Sequence, residues 1–305
     1  MKFLELLVLL MLLGALGFGV YVLWLNLPFE NATYKPFSSN FSSNVGISKE
    51  GVQFYPNMRF PDRIISYRLE STCPQKRWVD VEQAFEILSE RTVLKFYQTK
   101  DNPEIKILCS RIAPTPGQEG HFIAGEGGPT EIINTTNFAV IFGGNISLYR
   151  EEQCDEPKIA IHEILHALGF DHHNVSSSIM NPITGCNQEI DQYIIDDINS
   201  LYKANPLPDL QIDSITANRT GRYLNFEINV SNQGLREAKE ANLDIYALDR
   251  KIGNFTIGDL DIGIRKMLFV QNEKLAGDST KIVFLVGSKD EGELSLDNNR
   301  AEISL

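Results

Sequence analysis

Residues 162–172 read HEILHALGFDH, and this stretch decides the fold of the region around it. His162 and His166 are four residues apart, so on a helix both imidazoles project from one face, one turn apart. Gly169 is expected to end that helix, because glycine takes the positive φ that a sharp turn needs. The turn brings the imidazole of His172 back towards those of His162 and His166. We therefore predict one zinc ion held by three neutral histidines, with water in the fourth tetrahedral position.

Glu163 follows the first histidine and is predicted to lie beside the zinc-bound water. Its role is general base: it takes a proton as water attacks a zinc-polarised carbonyl and passes that proton to the leaving amine. The alternative for the three histidines is a surface helix with solvated side chains. His121 and His173 have no such spacing, so they are interpreted as ordinary surface or loop residues.

The residues before and after this stretch alternate between strand and helix patterns. Val81, Ala84, Phe85 and Leu88 fall at i, i+3, i+4 and i+7, which predicts one face of an amphipathic helix. The Gly/Pro-rich stretch 114–129 is predicted to be a loop. Residues 51–205 are therefore predicted to form an α/β (α+β) domain with a mixed, mostly parallel sheet. Strands are predicted at 64–70, 93–97, 105–109, 131–133, 139–142 and 146–149, and further helices at 157–168 and 189–202.

The helix that carries the histidines has a recognisable start. Pro157 fits its first turn, because proline has no N–H to leave unpaired there. Asp155 or Glu156 is the predicted cap.

Pro206 and Pro208 interrupt the α/β pattern, and we place a domain boundary there. Residues 206–305 contain no good helix pattern. Leu224, Phe226 and Ile228 alternate with polar residues, which indicates a half-buried strand. About seven such strands predict an immunoglobulin-like β-sandwich. They are predicted at 210–215, 223–230, 242–248, 255–257, 267–270, 281–286 and 300–305.

Residues 6–28 contain no charged side chain. A helix of that length spans a hydrocarbon core about 30 Å thick. We predict a signal anchor over 1–28, a single-pass transmembrane helix with Lys2 on the cytoplasmic side and residues 29–305 outside. The alternative is a cleaved signal peptide and a secreted protein. Residues 29–50 are rich in Ser and Asn and are predicted to be a flexible linker.

Net charge, cysteines and N-x-S/T triplets indicate the protein's possible partners and its compartment. The net charge is −12 and there is no Lys/Arg run, which argues against nucleic acid. The absence of a CxxC motif argues against a Cys₄ zinc site, so the four cysteines form two disulfides or remain buried thiols. Eight N-x-S/T triplets agree with an exterior, glycosylated chain. They begin at Asn31, Asn40, Asn134, Asn145, Asn174, Asn218, Asn229 and Asn254.

HEILHALGFDH matches the H-E-x-x-H-x-x-G-x-x-H signature of the metzincin metallopeptidases, which also carry a methionine turn beneath the zinc. Residues 178–182 (SIMNP) resemble that turn, with Met180 as its methionine. The form S-I-M-x-P and the ending of the following helix, from Asp196 to Tyr202, are similar to the matrixin branch. The resemblance covers about residues 55–204. The chain differs in having His173 where matrixins usually have Ser.

The resemblance implies a zinc endopeptidase acting on protein or peptide substrates, with Met180 as an apolar support under the zinc. It also implies the disulfide Cys73–Cys109, because two neighbouring parallel strands of the metzincin sheet end at these residues. The second pair is Cys154–Cys186, which would tie the methionine turn to the zinc helix. Calcium binding is left open, since no motif indicates it.

The C-terminal region is weakly similar to CARDB cell-surface domains, in residues 208–215, 228–234 and 296–299. This likeness implies a spacer or a module that binds a cell-surface partner. The favoured function is thus a membrane-anchored extracytoplasmic zinc endopeptidase. One alternative is a cell-surface adhesion protein with an inactive metzincin-like domain, which the intact Glu163 argues against. The other alternative is a zinc hydrolase that acts on non-peptide substrates.

Overall fold

The computed structural model describes residues 2–26, 33–34, 37–40, 53–115, 122–275, 280–290 and 292–305. The chain divides into two compact units. The sandwich unit comprises Met1–Asn40, Asp209–Asn232 and Ala238–Leu305. The α/β unit comprises Phe41–Pro208 and Gln233–Glu237.

The N-terminal helix α1 runs over Lys2–Asn26, and its described side chains, Val8 and residues 11–23, are all exposed. The predicted membrane-spanning helix is not confirmed: within the described residues, no helix meets the length and apolarity that crossing a membrane needs. Two short strands, β1 (Thr33–Tyr34) and β2 (Phe37–Asn40), lie in the predicted linker. The rest of that linker is outside the described residues.

The α/β unit is built on a six-stranded sheet, and its mixed, mostly parallel character is confirmed. The strand order is β3-β8-β6-β4-β5, with every pair parallel, and β7 pairs antiparallel with β8. The strands are β3 (Met58–Arg59), β4 (Ile64–Leu69), β5 (Lys95–Gln98), β6 (Ile105–Cys109), β7 (Gly125–Asn134) and β8 (Ala139–Leu148).

Three helices accompany the sheet: α2 (Gln75–Arg91), α3 (Lys158–Ala167) and α4 (Gln192–Leu201). The predicted apolar face of α2, from Val81 to Leu88, is buried in the core. Every residue of α3 is buried, its histidines and Glu163 included. A helix buried on all sides has to hold its polar groups in defined contacts, because each unpaired buried group is costly.

The edge strand β7 differs from the sequence prediction. The sequence predicts a Gly/Pro-rich loop over 114–129, yet β7 begins at Gly125. The two strands predicted at 139–142 and 146–149 are one continuous strand, β8. Gly144, within β8, permits the close approach of α3, because a Cβ there would lie 3.3 Å from the Cβ of Ala167. Glycine in these strands marks backbone proximity and not a break.

The sandwich unit has two antiparallel sheets, which confirms the predicted all-β region. In one sheet the order is β1-β13-β10-β9, with β2 also on β13; the other has the order β12-β11-β14-β15. Inward residues of both sheets, such as Phe226 and Phe284, form one apolar core. The strands are β9 (Leu210–Thr220), β10 (Tyr223–Asn232), β11 (Ala238–Ala247), β12 (Arg250–Leu260), β13 (Ile264–Lys274), β14 (Lys281–Gly287) and β15 (Arg300–Ser304).

Candidate metal and catalytic site

Three histidines of the α/β unit converge on one point. The Nε2 atom of His166 lies 3.0 Å from Nε2 of His162 and 3.1 Å from Nε2 of His172. Gly169 makes this possible: its φ is +98°, and a Cβ there would lie 2.5 Å from the Cγ of Met58. The chain therefore turns sharply after α3 and brings His172 back to the helix.

Hydrogen bonds fix the orientation and tautomer of the two helical rings. Nδ1 of His162 lies 2.6 Å from the carbonyl oxygen of Ile179, and Nδ1 of His166 lies 2.7 Å from that of Phe170. A carbonyl oxygen can only accept, so each Nδ1 carries the proton and donates it. The Nε2 lone pairs are left facing one another and available to a cation.

Burial keeps the rings of His162 and His166 neutral, and partial desolvation favours the neutral form of His172, which is exposed. Desolvation lowers the pKa of His162 to about 4, and the hydrogen bond to Ile179 offsets this only in part. Desolvation, with the charge of His162 second, lowers the pKa of His166 to about 4. Desolvation also lowers the pKa of His172, against the opposing effect of Asp171. Neutral imidazoles are the form that binds metal.

The three nitrogens fit a tetrahedral zinc ion. Zn–N bonds of about 2.0–2.1 Å at tetrahedral angles place ligand nitrogens about 3.3 Å apart. The observed separations of 3.0 and 3.1 Å are close to that value. Within the described residues, this triad is the single group of three or more His, Cys, Asp or Glu side chains arranged to hold a metal.

Glu163 lies on α3 next to His162 and is 5% exposed. Burial raises the pKa of its carboxyl to about 8, and the charge of Glu126 adds to this effect. Strand β7 packs directly on it: a Cβ at Gly125 would lie 2.8 Å from Oε1 of Glu163, and one at Gly127 would lie 2.2 Å from its backbone oxygen. A side chain at Gly127 would therefore collide with backbone, and one at Gly125 would displace the Glu163 carboxyl, a constraint that the sequence prediction of a loop missed.

Met180 is fully buried in the core of the α/β unit. Its N–H donates to Oγ of Ser178 at 3.1 Å, and its carbonyl accepts from the backbone N–H of His173 at 2.8 Å. Ser178 in turn donates to the carboxylate of Asp191, just before α4. The methionine turn is thus tied both to the residue after His172 and to the start of α4. His121 lies outside the described residues.

Two disulfides join Cys73 to Cys109 and Cys154 to Cys186, the pairs expected from the metzincin resemblance. Their Cα–Cα separations are 4.9 and 5.2 Å. The second bridge connects the segment before α3 with the segment after the methionine turn. Ile179 of the methionine turn contacts His162, so the bridge braces the site from outside.

The start of α3 is capped by a residue that the sequence analysis did not consider. The sequence predicts Asp155 or Glu156 as the cap, but the N-cap residue is Pro157, which makes no side-chain hydrogen bond. Oε2 of Glu152 accepts the N–H of Ile159 at 2.9 Å, and its Oε1 accepts the N–H groups of Gln153 and Cys154. A carboxylate at a helix N-terminus is stabilised by the free N–H groups there.

The three histidines on and after α3 resemble the metal site of the metzincins, a class of zinc metallopeptidases. Residues 61–203 match the family model described as Peptidase_M10, matrixin. The α/β unit is therefore similar to the matrixins over these residues.

One relative and one solved zinc protease are similar to parts of this chain. The chain is 30% identical over 133 residues to macrophage metalloelastase of Oryctolagus cuniculus, a match that covers 40% of this chain and 28% of the relative. The chain thus spans under a third of that relative's length. High choriolytic enzyme 1, a hatching-enzyme zinc protease of Oryzias latipes, is 17% identical with a TM-score of 0.32, covering 48% of this chain and 92% of that one.

A second solved structure is similar to part of the chain. The CARDB domain of a Pyrococcus furiosus protein, solved with di-metal ions, is 21% identical with a TM-score of 0.26. That match covers 32% of this chain and 87% of the other.

Proposed function

We propose that this protein is an extracytoplasmic zinc endopeptidase in which His162, His166 and His172 hold the metal and Glu163 is the general base. The observation that carries the proposal is the convergence of three neutral imidazole nitrogens, 3.0 and 3.1 Å apart, beside a buried carboxyl group. A solvated surface helix would present none of these features. When bound, zinc would polarise a substrate carbonyl, make water more acidic and favour the ionised form of Glu163.

Glu163 moves the proton. Its carboxylate accepts a proton from the attacking water and returns it to the amine that leaves as the peptide bond breaks. Gly125 and Gly127 hold β7 against Glu163, which excludes water from that side of the carboxyl and limits its freedom. A fixed carboxyl needs little reorganisation during the reaction.

Strand β7 supports a peptide substrate over a small one. In the described residues it pairs with β8 along one edge, and no strand pairs with the other edge. An open edge can bind an extended peptide through main-chain hydrogen bonds, largely independent of the peptide's sequence. The peptide would then lie along the strand that contacts Glu163.

The location outside the cytoplasm is supported by the two disulfides, since such bonds are rare in reducing compartments. We further propose that the N-terminal helix either anchors the chain in the membrane or is removed as a signal peptide, and that the sandwich unit binds a cell-surface partner. Sequencing the N-terminus of the mature protein separates the first two outcomes: a chain that begins at Met1 is anchored, and one that begins near residue 28 is secreted.

The decisive test of the enzymatic proposal compares the full-length wild type with Glu163→Gln. Both should bind one zinc per chain by elemental analysis, because Glu163 is not a ligand. The variant should lose about 10²–10⁴-fold in cleavage of a denatured protein mixture, the range expected for a general base. Loss of zinc from the variant would refute the assigned role. Zinc binding by the wild type without any cleavage would instead favour the adhesion protein.

A further inference from the structure

A cleft of about 580 Å³ in the α/β unit contains three arginines and lies beside α3. The net charge of the whole chain is −12, so a concentration of cations in one cleft is unusual for it. The arginines are Arg77 in the first turn of α2, Arg111 after β6, and Arg150 after β8. We call this feature the arginine cleft.

The arginine cleft borders the residues that contact Glu163. Ile159 forms part of its wall and precedes Glu163 by four residues on α3, a rise of about 6 Å. Ala124, also in the wall, precedes Gly125, where a Cβ would lie 2.8 Å from the Glu163 carboxyl. A peptide bond positioned at Glu163 would therefore place a neighbouring side chain at the mouth of the cleft.

Arg77 is a fixed cation of the cleft wall. It is 6% exposed, and its guanidinium donates to the backbone oxygens of Leu148 at 2.5 Å, Tyr149 at 3.0 Å and Ser110 at 3.4 Å. These acceptors are neutral carbonyls, so they hold the guanidinium in place without cancelling its charge.

The other two arginines are exposed and complete the cleft. The guanidinium of Arg150 lies 4.9 Å from the ring centre of Phe122, a cation–π arrangement that keeps it at the cleft wall. Across the described part of the chain, none of the three arginines forms an ion pair with a carboxylate. Of the two acids in the wall, Glu152 is occupied by backbone N–H groups, which leaves Glu151 as the one other anion.

We propose that the arginine cleft binds an acidic side chain, Asp or Glu, of the substrate residue next to the scissile bond. This inference rests on the proposed peptidase function and adds a substrate class to it. Guanidinium groups bind carboxylates through two parallel N–H···O bonds, which gives geometric selectivity as well as attraction. Phe122 and Tyr149 supply apolar surface for the methylene groups of the bound side chain.

The first experiment measures cleavage by the full-length, zinc-loaded protein. A peptide mixture is profiled by mass spectrometry, and matched peptides with Glu or Gln at the preferred position then give kcat/KM. All peptides are acetylated at the N-terminus and amidated at the C-terminus, so that the Glu side chain is the one carboxylate near the scissile bond. We expect about a tenfold preference for Glu, shrinking as salt rises from about 0.05 to 0.5 M.

Variants assign the preference to the cleft. The double variant Arg111→Ala/Arg150→Ala should reduce the Glu-to-Gln ratio to within about twofold, whereas Arg63→Ala, an exposed arginine outside the cleft, should leave it unchanged. The reversal Arg111→Glu/Arg150→Glu should shift the preference towards Lys. Arg77 is left intact because its backbone contacts also support the fold.

A binding measurement keeps this inference separate from the proposed function. Zinc-loaded Glu163→Gln is titrated calorimetrically with the same Glu and Gln peptides, which needs no turnover. The inference is supported if this protein binds the Glu peptide more tightly than the Gln peptide, and if the difference disappears when Arg111→Ala and Arg150→Ala are added to Glu163→Gln. Cleavage or binding that is indifferent to Glu at every position overturns the inference while leaving the peptidase intact. Failure of the wild type to cleave any peptide overturns the proposed function alone, because the titration still decides the cleft.

Discussion

The α/β unit and the sandwich unit keep their ionisable groups in different places. The α/β unit buries His162, Glu163 and His166, together with Arg59 and Arg77. In the sandwich unit the buried polar residues are mainly neutral amides and hydroxyls, and Asp209 is the acid buried among them. All five histidines and all four cysteines of the chain precede residue 187.

The difference indicates what the proposed catalytic site demands of its fold. Burying an ionisable group costs free energy unless a partner compensates it. The three histidine nitrogens that face one another have no compensation until a cation binds. The α/β unit contains two disulfides and the sandwich unit contains none in its described residues. We interpret the bridges as offsetting part of the cost of the site.

Removal of both disulfides should produce the largest change in stability. Closing loops with sequence separations of 36 and 32 residues contributes about 3–4 kcal/mol each on the chain-entropy model. Hydrogen exchange should show a large loss of protection in α2 and α3 when the four cysteines are replaced by serine. Strands β10 and β13 should keep theirs. Equal loss in both units would contradict the idea that the bridges serve the site.

Gly127→Ala should have the next largest effect. The new Cβ would lie 2.2 Å from the backbone oxygen of Glu163, so two backbone segments would have to separate. We expect a loss of about 3 kcal/mol or more in unfolding free energy, together with loss of activity. Gly128→Ala is the matched control, because a Cβ there meets nothing within 4 Å. Thermal unfolding that is equal in the two variants would argue against the tight packing of β7 on α3.

Part of this arrangement could be read from the sequence. The spacing of His162, His166 and Gly169 specifies a helix and a turn, because both depend on local geometry. The alternating pattern of Leu224 and Phe226 likewise gives a strand, since burial on one face of a sheet repeats every second residue.

The parts that could not be predicted depend on distant contacts. Gly125 and Gly127 appear as loop residues in the sequence, because their packing on Glu163 is visible only in the folded chain. Glu152 caps α3 from seven residues before Ile159, well outside the window in which caps are sought. The arginine cleft combines residues from three separate segments, and no local pattern connects them.

Met180→Leu tests whether the methionine turn is a passive support, and its effect should be smaller. Leucine conserves the volume of this fully buried side chain, so the expected loss is under about 1.5 kcal/mol, with zinc content unchanged. Met180→Ala should cost about 2–5 kcal/mol, because it leaves a cavity. Chemical denaturation and elemental analysis measure both quantities. Loss of zinc in the leucine variant would mean that the sulfur does more than fill space.

The smallest expected effect concerns the buried acid of the sandwich unit. Burial raises the pKa of Asp209, and hydrogen bonds from the Asn298 side chain and the Ser295 backbone oppose this only in part. A carboxyl whose pKa is higher in the folded state stabilises the fold while it is protonated. That contribution is complete below the unfolded-state pKa and is lost as pH rises through the folded value. Asp209→Asn carries no charge, so its unfolding free energy relative to wild type should increase as pH rises above 3.8.

Asp244→Asn is the control with the opposite sign, in the same unit and with the same substitution. Burial acts to raise the pKa of Asp244, but hydrogen bonds from Lys251 and Asn254 outweigh it and lower the net value. Its stabilising contribution is therefore present above the unfolded pKa, and the asparagine variant should become less stable than wild type as pH rises. Each change should be on the order of 1 kcal/mol or less, measured by denaturation at several pH values. If both variants changed in the same direction, burial would not be what distinguishes Asp209. The contrast between a sandwich unit with few buried ionisable groups and an α/β unit with many would then lose its physical basis.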